Sequence, residues 1–441
     1  MLRRPCLLGL AFSTVSVAFG QQAPPLATPE PRTFFVRQTV GDDKNDGTSP
    51  EQAWLTIRRL SGALEAGDTA YVGPGLYRDQ IVVRGSGTPD RRIRILADPT
   101  GAHTQDLPGV VMITGAEPVD EGRFEPEGRP GVYRARFPDF TPAGVVEMDG
   151  PQLRYMRARS TPEHLVDRLP EREVVAARPS TYFHDPAAGM LYLHTSDGAP
   201  PTRHELELMR RGAGITVANR HFVTIAGFTI RHTADAGILF SDGARHGIAI
   251  DNVCYGHRIG IRVNGATGVL LSGNVLFRNE NSGVYFLRGA SQGRALANVL
   301  YENVKGVRFG SRSDHGQAVG NLAFRNREVG ISVEDSRGIH VMANRLIRNG
   351  EDQLLFWKGR DPQSEGNCFD VSDSYGTARL DQTRHADLLA YQRAAAQDLA
   401  SRASDCGPLP EAIDVHRLQR EAGALSVSRP AARAAPPRRA P

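Results

Sequence analysis

Eight side chains in the second half of the chain combine charge with aromatic surface: Arg262, Tyr285, Arg308, His315, Glu334, Asp335, Trp357 and Lys358. Two carboxylates at a separation of roughly 5–9.5 Å supply the acid and base, or acid and nucleophile, that split a glycosidic acetal. A Lys or His can instead take the proton next to a uronate carboxylate, provided a cation stabilises the developing enolate. By residue type, Glu334 and Asp335 are the candidate hydrolytic pair. Lys358 and His315 are the candidate bases for elimination, and Arg308 is the stabilising cation. Trp357 and Tyr285 offer aromatic faces for sugar rings, and Arg262 offers a fork for a carboxylate. Each also has a plain reading. Asp335-Ser336-Arg337-Gly338 is a good turn, Lys358 can pair with Asp335 as a surface salt bridge, and His315 stands beside Asp314 in a loop.

What must position these residues is a repeat. Asn recurs at 252, 274, 298, 321, 344 and 367, at spacings of 22, 24, 23, 23 and 23. A second series keeps the same period: Gly237, Gly260, Gly283, Gly306 and Gly330, with Gln353 in the sixth place, each opening a short alternating run. Alternation with period two marks strands with one buried face. A unit of about 23 residues made of short strands cannot bury its own core, whereas stacked units can. The expected fold is all-β, a single-stranded right-handed parallel β-helix, with the Asn residues stacked inside as a ladder. Leucine-rich repeats share the length, but their Leu pattern is absent.

Stacking turns the sequence into columns about 4.8 Å apart. Aligned on the Gly, one outward column reads Leu239, Arg262, Tyr285, Arg308, Ser332 and Leu355. The next reads Ser241, Asn264, Leu287, Gly310, Glu334 and Trp357, and the one after it Asp242, Gly265, Arg288, Ser311, Asp335 and Lys358. Gly310 opposite Glu334 would leave room above the sheet.

Around the repeat at 212–370 the chain divides further. Residues 33–113 read as a cap and first coils. Ser49 is an N-cap, Pro50 the first helical residue and Gln52 the end of a capping box, with Ala53, Ile57, Leu60 and Leu64 on one face and Gly67 as the stop. Such a helix would cover the open end of the coil. Residues 114–211 lose the period and read as a small β-rich insertion, with a hairpin across Tyr182–Leu193 turning at Asp185-Pro186. Residues 371–424 hold a helix over 385–401 with Leu388, Tyr391, Ala395 and Leu399 inward. The Ala/Pro/Arg-rich 425–441 reads as a disordered tail.

The first 20 residues carry Arg3 and Arg4, an apolar run from Leu7 to Phe19 and a small-x-small site at Ala18–Gly20, the pattern of an export signal. The expectation is a secreted or periplasmic protein with no membrane segment. A net charge of +4 over 441 residues gives no reason to expect nucleic acid. Export permits disulfides: Cys368 and Cys406 flank the C-terminal segment and could pin it, while Cys254 lies in an apolar strand as a buried thiol. The loop Asp42–Gly47 fails calcium-loop spacing because Lys44 stands where an oxygen ligand belongs. No Cys/His spacing suggests zinc. No metal and no cofactor are expected.

The segment from Asp46-Gly47-Thr48-Ser49-Pro50 through Gly67-Asp68-Thr69-Ala70-Tyr71-Val72 resembles the opening of bacterial secreted β-helix proteins, among them pectate-lyase-like enzymes and β-helix glycoside hydrolases. Glu147-Met148-Asp149-Gly150 and Leu191-Tyr192-Leu193 are similar to a β-sandwich inserted early in some of the glycosidases. Leu389-Ala390-Tyr391-Gln392 resembles the segment that follows their coil. The resemblance implies a polysaccharide partner, neutral or acidic, and cleavage of a glycosidic bond by hydrolase or lyase chemistry. A glycan-binding or structural role without catalysis is the alternative. The calcium-dependent lyases carry an Asp pair where this chain has Glu280-Asn281-Ser282-Gly283, so no calcium site is carried over.

Overall fold

The computed structural model describes residues 30–148, 150, 152–155, 171–372, 374–404 and 406–410, with the backbone alone at 152–155. The expected export signal, the end of the C-terminal segment and the expected tail lie outside these residues. Among the described residues no helix is long and apolar enough to cross a membrane.

Among the described residues three ten-stranded sheets wind in coils around one core, a right-handed parallel β-helix. Every pairing in them is parallel except that of Thr383–His385 with Gly376–Leu380 at the C-terminal edge. The wide sheet has strands of mostly five or six residues, among them Ala236–Ser241, Ile259–Asn264, Ser282–Leu287, Lys305–Phe309, Val329–Glu334 and Asp352–Trp357. The other two sheets take mostly three-residue strands such as Ile248–Ile250 and Val253–Tyr255. The alternation expected from the sequence sets the core. Val284 and Phe286 point inward, and Phe286 stacks on Phe309 of the next coil at 4.8 Å. Gly293 lets the chain turn beneath that ring, since a Cβ there would lie 2.3 Å from a Phe286 ring carbon.

The expected Asn ladder runs through the buried turns. Each amide donates to the next, from Asn252 to Asn274 (3.1 Å), Asn298 (2.9 Å), Asn321 (3.0 Å), Asn344 (3.0 Å) and Asn367 (3.0 Å). It ends on the buried Asp398 carboxylate at 2.9 Å. A second ladder, at another corner, runs Asn279, Asn303, Asn326 and Asn349 to Gln353, at 2.9, 3.1, 2.9 and 2.7 Å. These amides satisfy backbone groups that turn inward where no sheet partner exists.

The expected N-terminal helix is shorter than its sequence pattern. Only a 3₁₀ turn, Ile57–Arg59, and one helical turn, Leu60–Ala63, form. Residues before it pair with the first strand instead: Trp54 N–H donates to Phe35 O at 2.9 Å and Arg37 N–H to Trp54 O at 2.8 Å. Burial of Trp54 against Phe34, with ring centroids 4.9 Å apart, outweighs the helix propensity. Asp43, not Ser49, receives the N–H groups that open the turn, Leu55 at 3.0 Å and Thr56 at 2.9 Å. The short helix still meets the edge of the wide sheet, where Ser61 Oγ accepts from Val82 N–H at 3.0 Å.

Between the strands Val111–Thr114 and Ala213–Ala218 lies an eight-stranded sheet with its own core, including Phe124, Phe137, Tyr182, Leu191 and Leu208. Its strands Thr181–Asp185 and Met190–His194 form the expected hairpin. At the other end, the helix Leu388–Ala395 is capped by Asp387, which accepts from Ala390 N–H at 2.8 Å. Leu388 and Tyr391 face inward as expected, but Leu399 is 74% exposed, because the helix has already ended at Ala396. A Cys368–Cys406 disulfide ties the following strand to the last coils, and Cys254 is a buried free thiol.

Candidate functional site

The outer face of the wide sheet carries the expected register. Leu239, Arg262, Tyr285, Arg308, Ser332 and Leu355 are cross-strand neighbours in one column. Glu334 pairs in register with Trp357, and Ser241 with Asn264 and Leu287. Gly310 falls one residue past its strand. The third column is not a face but a corner: Asp242, Gly265, Arg288, Ser311, Asp335 and Lys358 all take left-handed backbone, with φ between 46° and 62°.

Glu334 is 7% exposed and sits at the centre of a charge cluster. Its Oε1 accepts from Lys305 Nζ at 2.7 Å, and its Oε2 accepts from Arg308 Nε at 3.1 Å and from Arg308 Nη2. Burial pushes the Glu334 carboxyl up, but Lys305 and Arg308 outweigh it and hold the group below its ordinary value. A carboxylate so held is ionised at neutral pH, unlike the raised acid a glycosidase needs. The Arg308 guanidinium lies 4.4 Å from the centre of the Tyr285 ring. The space beside Gly310 is not left open above the sheet: a Cβ there would be 3.1 Å from Tyr285 Cε2, so the tyrosine occupies it.

Two flanking ion clusters continue the face. Arg262 Nη1 reaches both oxygens of Asp235, at 2.8 and 2.6 Å. Asp352 is fully buried and is held by Arg384 Nε at 2.8 Å and Arg379 Nη2 at 2.9 Å. Arg379 continues the column of Arg308 and Leu355 one coil beyond the last repeat counted, whereas Lys305 and Asp352 escape the sequence reading for another reason. Columns counted forward from the repeated Gly never reach the strand's first outward position, where Ser282, Lys305, Val329 and Asp352 align.

The remaining candidates lie around this centre. Trp357 is 40% exposed, and Lys358 places its Nζ 4.5 Å from the centre of the Trp357 ring. Lys358 therefore does not form the surface bridge to Asp335: the left-handed corner turns its chain toward the tryptophan instead. Asp335 is exposed at the same corner one coil earlier. His315 is apart from the cluster, at an exposed left-handed position packed over Gly338. Its neighbour Asp314 accepts from Arg337 N–H at 2.8 Å, so the two do not form a dyad. Tyr285, Arg308 and Glu334 are thus brought together. Trp357 and Lys358 stand beside them, Arg262 lies one coil away in register with Tyr285, and His315 stands outside.

A second ionisable cluster was not foreseen. Where the inserted sheet meets the early coils, Glu207 accepts from Arg78 Nη2 at 2.7 Å and lies 3.4 Å from Arg231 Nη2 and 3.9 Å from His232 Nδ1. Burial opposes its charge, but these partners bring the Glu207 carboxyl down to about 2. Burial also lowers His232, to about 4. Glu207, Arg231 and His232 are all closed to solvent, so this cluster joins two parts of the fold and offers no substrate access. Among the described residues no group of three or more His, Cys, Asp or Glu side chains is arranged to hold a metal ion.

Residues 213–369 match the family described as right-handed β-helix region. Among solved structures, XylC in complex with xylose superposes with a TM-score of 0.62 at 16% identity, covering 79% of this chain and 66% of that one. A structure described as a glycoside hydrolase superposes with a TM-score of 0.51 at 11% identity, covering 84% of this chain and 95% of that one. The chain thus spans just under two thirds of the XylC structure, and at these identities the likeness is one of fold. No curated protein matches the chain in sequence. On repeat, register and fold together, the chain is a right-handed parallel β-helix protein with an eight-stranded sheet set into its early coils.

Proposed function

We propose that this protein, exported on its N-terminal signal, holds a polysaccharide across the outer face of the wide sheet and cleaves a glycosidic bond there. The observation that carries the reading is the contact group of Tyr285, Arg308 and Glu334 beside the exposed Trp357. It combines an aromatic surface for a sugar ring with a fixed guanidinium for an acidic or developing oxyanion. The two solved structures of similar fold, one a complex with xylose and one a glycoside hydrolase, support a carbohydrate partner.

Of the two cleavage chemistries, elimination on a uronate fits this face better. Hydrolysis needs one carboxyl protonated at working pH, and Glu334 is held ionised by Lys305 and Arg308. Asp335, the candidate partner of Glu334 on this face, stands at an exposed corner. In the elimination reading Arg308 stabilises the enolate, and Lys358, which stands beside it, takes the C5 proton as the bond from C4 to the leaving oxygen breaks; His315 lies outside the group. Arg262, Tyr285 and Trp357 bind the chain on either side. A second reading, binding without cleavage, is favoured by one fact: Asp235, Glu334 and Asp352 on this face are each already engaged by a cation.

The test is incubation of the protein with neutral and uronate polysaccharides, following reducing ends and the ultraviolet absorbance of unsaturated uronates. Reducing ends with absorbance establish elimination, and Arg308→Ala then removes both signals. Reducing ends without absorbance establish hydrolysis. Neither signal, with retained polymer binding, leaves the binding reading.

A further inference from the structure

The inserted sheet holds a cavity of about 260 Å³ whose lining shares no residue with the face just described. Its floor is Leu208 and Phe137, both buried, and its rim includes Asp120, Arg123, Asp139 and Arg210, all exposed. The volume is just under the ~300 Å³ at which pockets for drug-sized ligands begin, so it suits one ring rather than an oligomer.

Two arginines define its chemistry. The Arg123 guanidinium lies 4.5 Å from the centre of the Phe137 ring, and that of Arg210 lies 4.2 Å from the centre of Phe140. The two rings meet edge to face at 6.0 Å, which fixes one platform against the other. A guanidinium resting on an aromatic face keeps its in-plane N–H groups free for a planar acceptor. Arg123 uses one of them on Arg136 O at 2.7 Å. Among the described residues neither arginine has a carboxylate within ion-pair distance. The acids nearby are otherwise placed. Glu117 is held by Arg211 at 2.5 Å, and Asp120 Oδ1 accepts from Gly122 N–H at 3.0 Å. That leaves Asp139 and the second oxygen of Asp120 as acceptors for hydroxyl groups.

From this arrangement we infer that the pocket is a binding site for a carboxylate-bearing monosaccharide, its carboxylate between Arg123 and Arg210 and its hydroxyls toward Asp120 and Asp139. The sugar part of the inference rests on the polysaccharide reading, and the carboxylate part rests on the arginines alone. Two sources share this chemistry, a free sugar acid and the terminal residue of an acidic chain.

The experiment is calorimetric titration of the full protein with galacturonate, with galactose, and with a short galacturonate oligomer. Galacturonate binds and galactose does not, and added salt weakens the binding. Arg210→Ala and Arg123→Gln each weaken it on the order of tenfold or more, because a charge-assisted fork is lost. Arg210→Lys, which keeps charge but not the fork, falls between. Both arginines are exposed, and an unchanged melting profile shows the variants folded. A stronger signal with the oligomer identifies a chain end as the ligand, and a weaker one a free acid; either supports the site. Arg308→Ala lowers action on polymer but leaves the galacturonate titration as it was, so the two sites fail separately. Galactose binding as well as galacturonate, no galacturonate binding at tens of millimolar, or binding unchanged in Arg210→Ala would each overturn the inference.

Discussion

Arg308 and Glu334 belong to adjacent strands and to different outward columns, yet the guanidinium is forked onto the carboxylate while its flat face rests on Tyr285. The carboxylate thereby fixes the cation, and Lys305 completes its neutralisation. Replacing Glu334 by Gln leaves two partly buried cations without their anion, which costs roughly 3 kcal/mol of stability. The sign with pH follows. A carboxyl whose folded pKa is depressed contributes stability above its unfolded value, near 4.5, and loses it as pH falls through the folded value. Wild type therefore loses this contribution as pH falls below about 4.5, and Glu334→Gln starts lower but falls less over the same range. Parallel acid profiles for the two proteins would dismiss the clamp.

Trp357 gives a direct optical readout. The chain has two tryptophans, and Trp54 is 3% exposed against 40% for Trp357. A polysaccharide seated on the wide sheet changes the emission of Trp357 alone. Trp357→Ala removes that change and weakens binding by about 1 kcal/mol or more, the scale of an aromatic contact, with the melting temperature unmoved. If the fluorescence response persists in Trp357→Ala, the ligand lies elsewhere.

The fold was legible in the sequence because a β-helix writes its period directly: every coil repeats the same inward positions, so Asn252 to Asn367 and Gly237 to Gly330 announce the stack. The second ladder was equally periodic, at 279, 303, 326 and 349, and needed only a second search at the same spacing. The site was less legible. Glu334 and Arg308 are 26 residues apart and meet on a diagonal between columns, which a column-by-column reading does not join. Lys358 and Asp335 are one coil apart in sequence, but spacing fixes the backbone and not the side chain's direction. The N-terminal helix failed on competition: Trp54 has a better burial site against Phe34 than a helix face would give it.

The disulfide closes a loop of sequence separation 38 and fastens the segment after the last helix to the outer surface of a three-residue-strand sheet. A loop of that length restrains the unfolded chain by about 4 kcal/mol. Thiol reduction, or Cys368→Ser, lowers the denaturation midpoint accordingly. Cys254 does not react with thiol reagents in the native protein, since burial pushes its thiol up and closes it to solvent. Rapid labelling of Cys254 in the folded state would show that the coils open locally.

His257 stands at the head of the second Asn ladder. Its backbone N–H donates to Asn279 Oδ1 at 3.1 Å, as Asn279 N–H does to Asn303 Oδ1 at the same distance. Its Nε2 lies 3.1 Å from Ile230 O and its Nδ1 3.1 Å from Thr233 N, which donates to it. These ring atoms stand where an Asn would place its amide nitrogen and oxygen, as Asn279 Nδ2 donates to Cys254 O one coil on. Burial lowers the His257 imidazole to about 3, so it is neutral in the folded protein. The unfolded chain takes up a proton near 6.5, and the folded chain does not until about 3. Stability is therefore complete above pH 6.5 and falls as the pH drops toward the folded value, by roughly 1.4 kcal/mol per pH unit from this group. His232, lowered to about 4, adds to the same slope. His257→Asn extends the ladder by one rung with no titrating group. It keeps the neutral-pH stability within about 1 kcal/mol and flattens the decline between pH 6 and 4, leaving the share of His232. Urea midpoints for both proteins across that range decide it: an unchanged slope in His257→Asn would mean that His257 is already protonated in the folded coil.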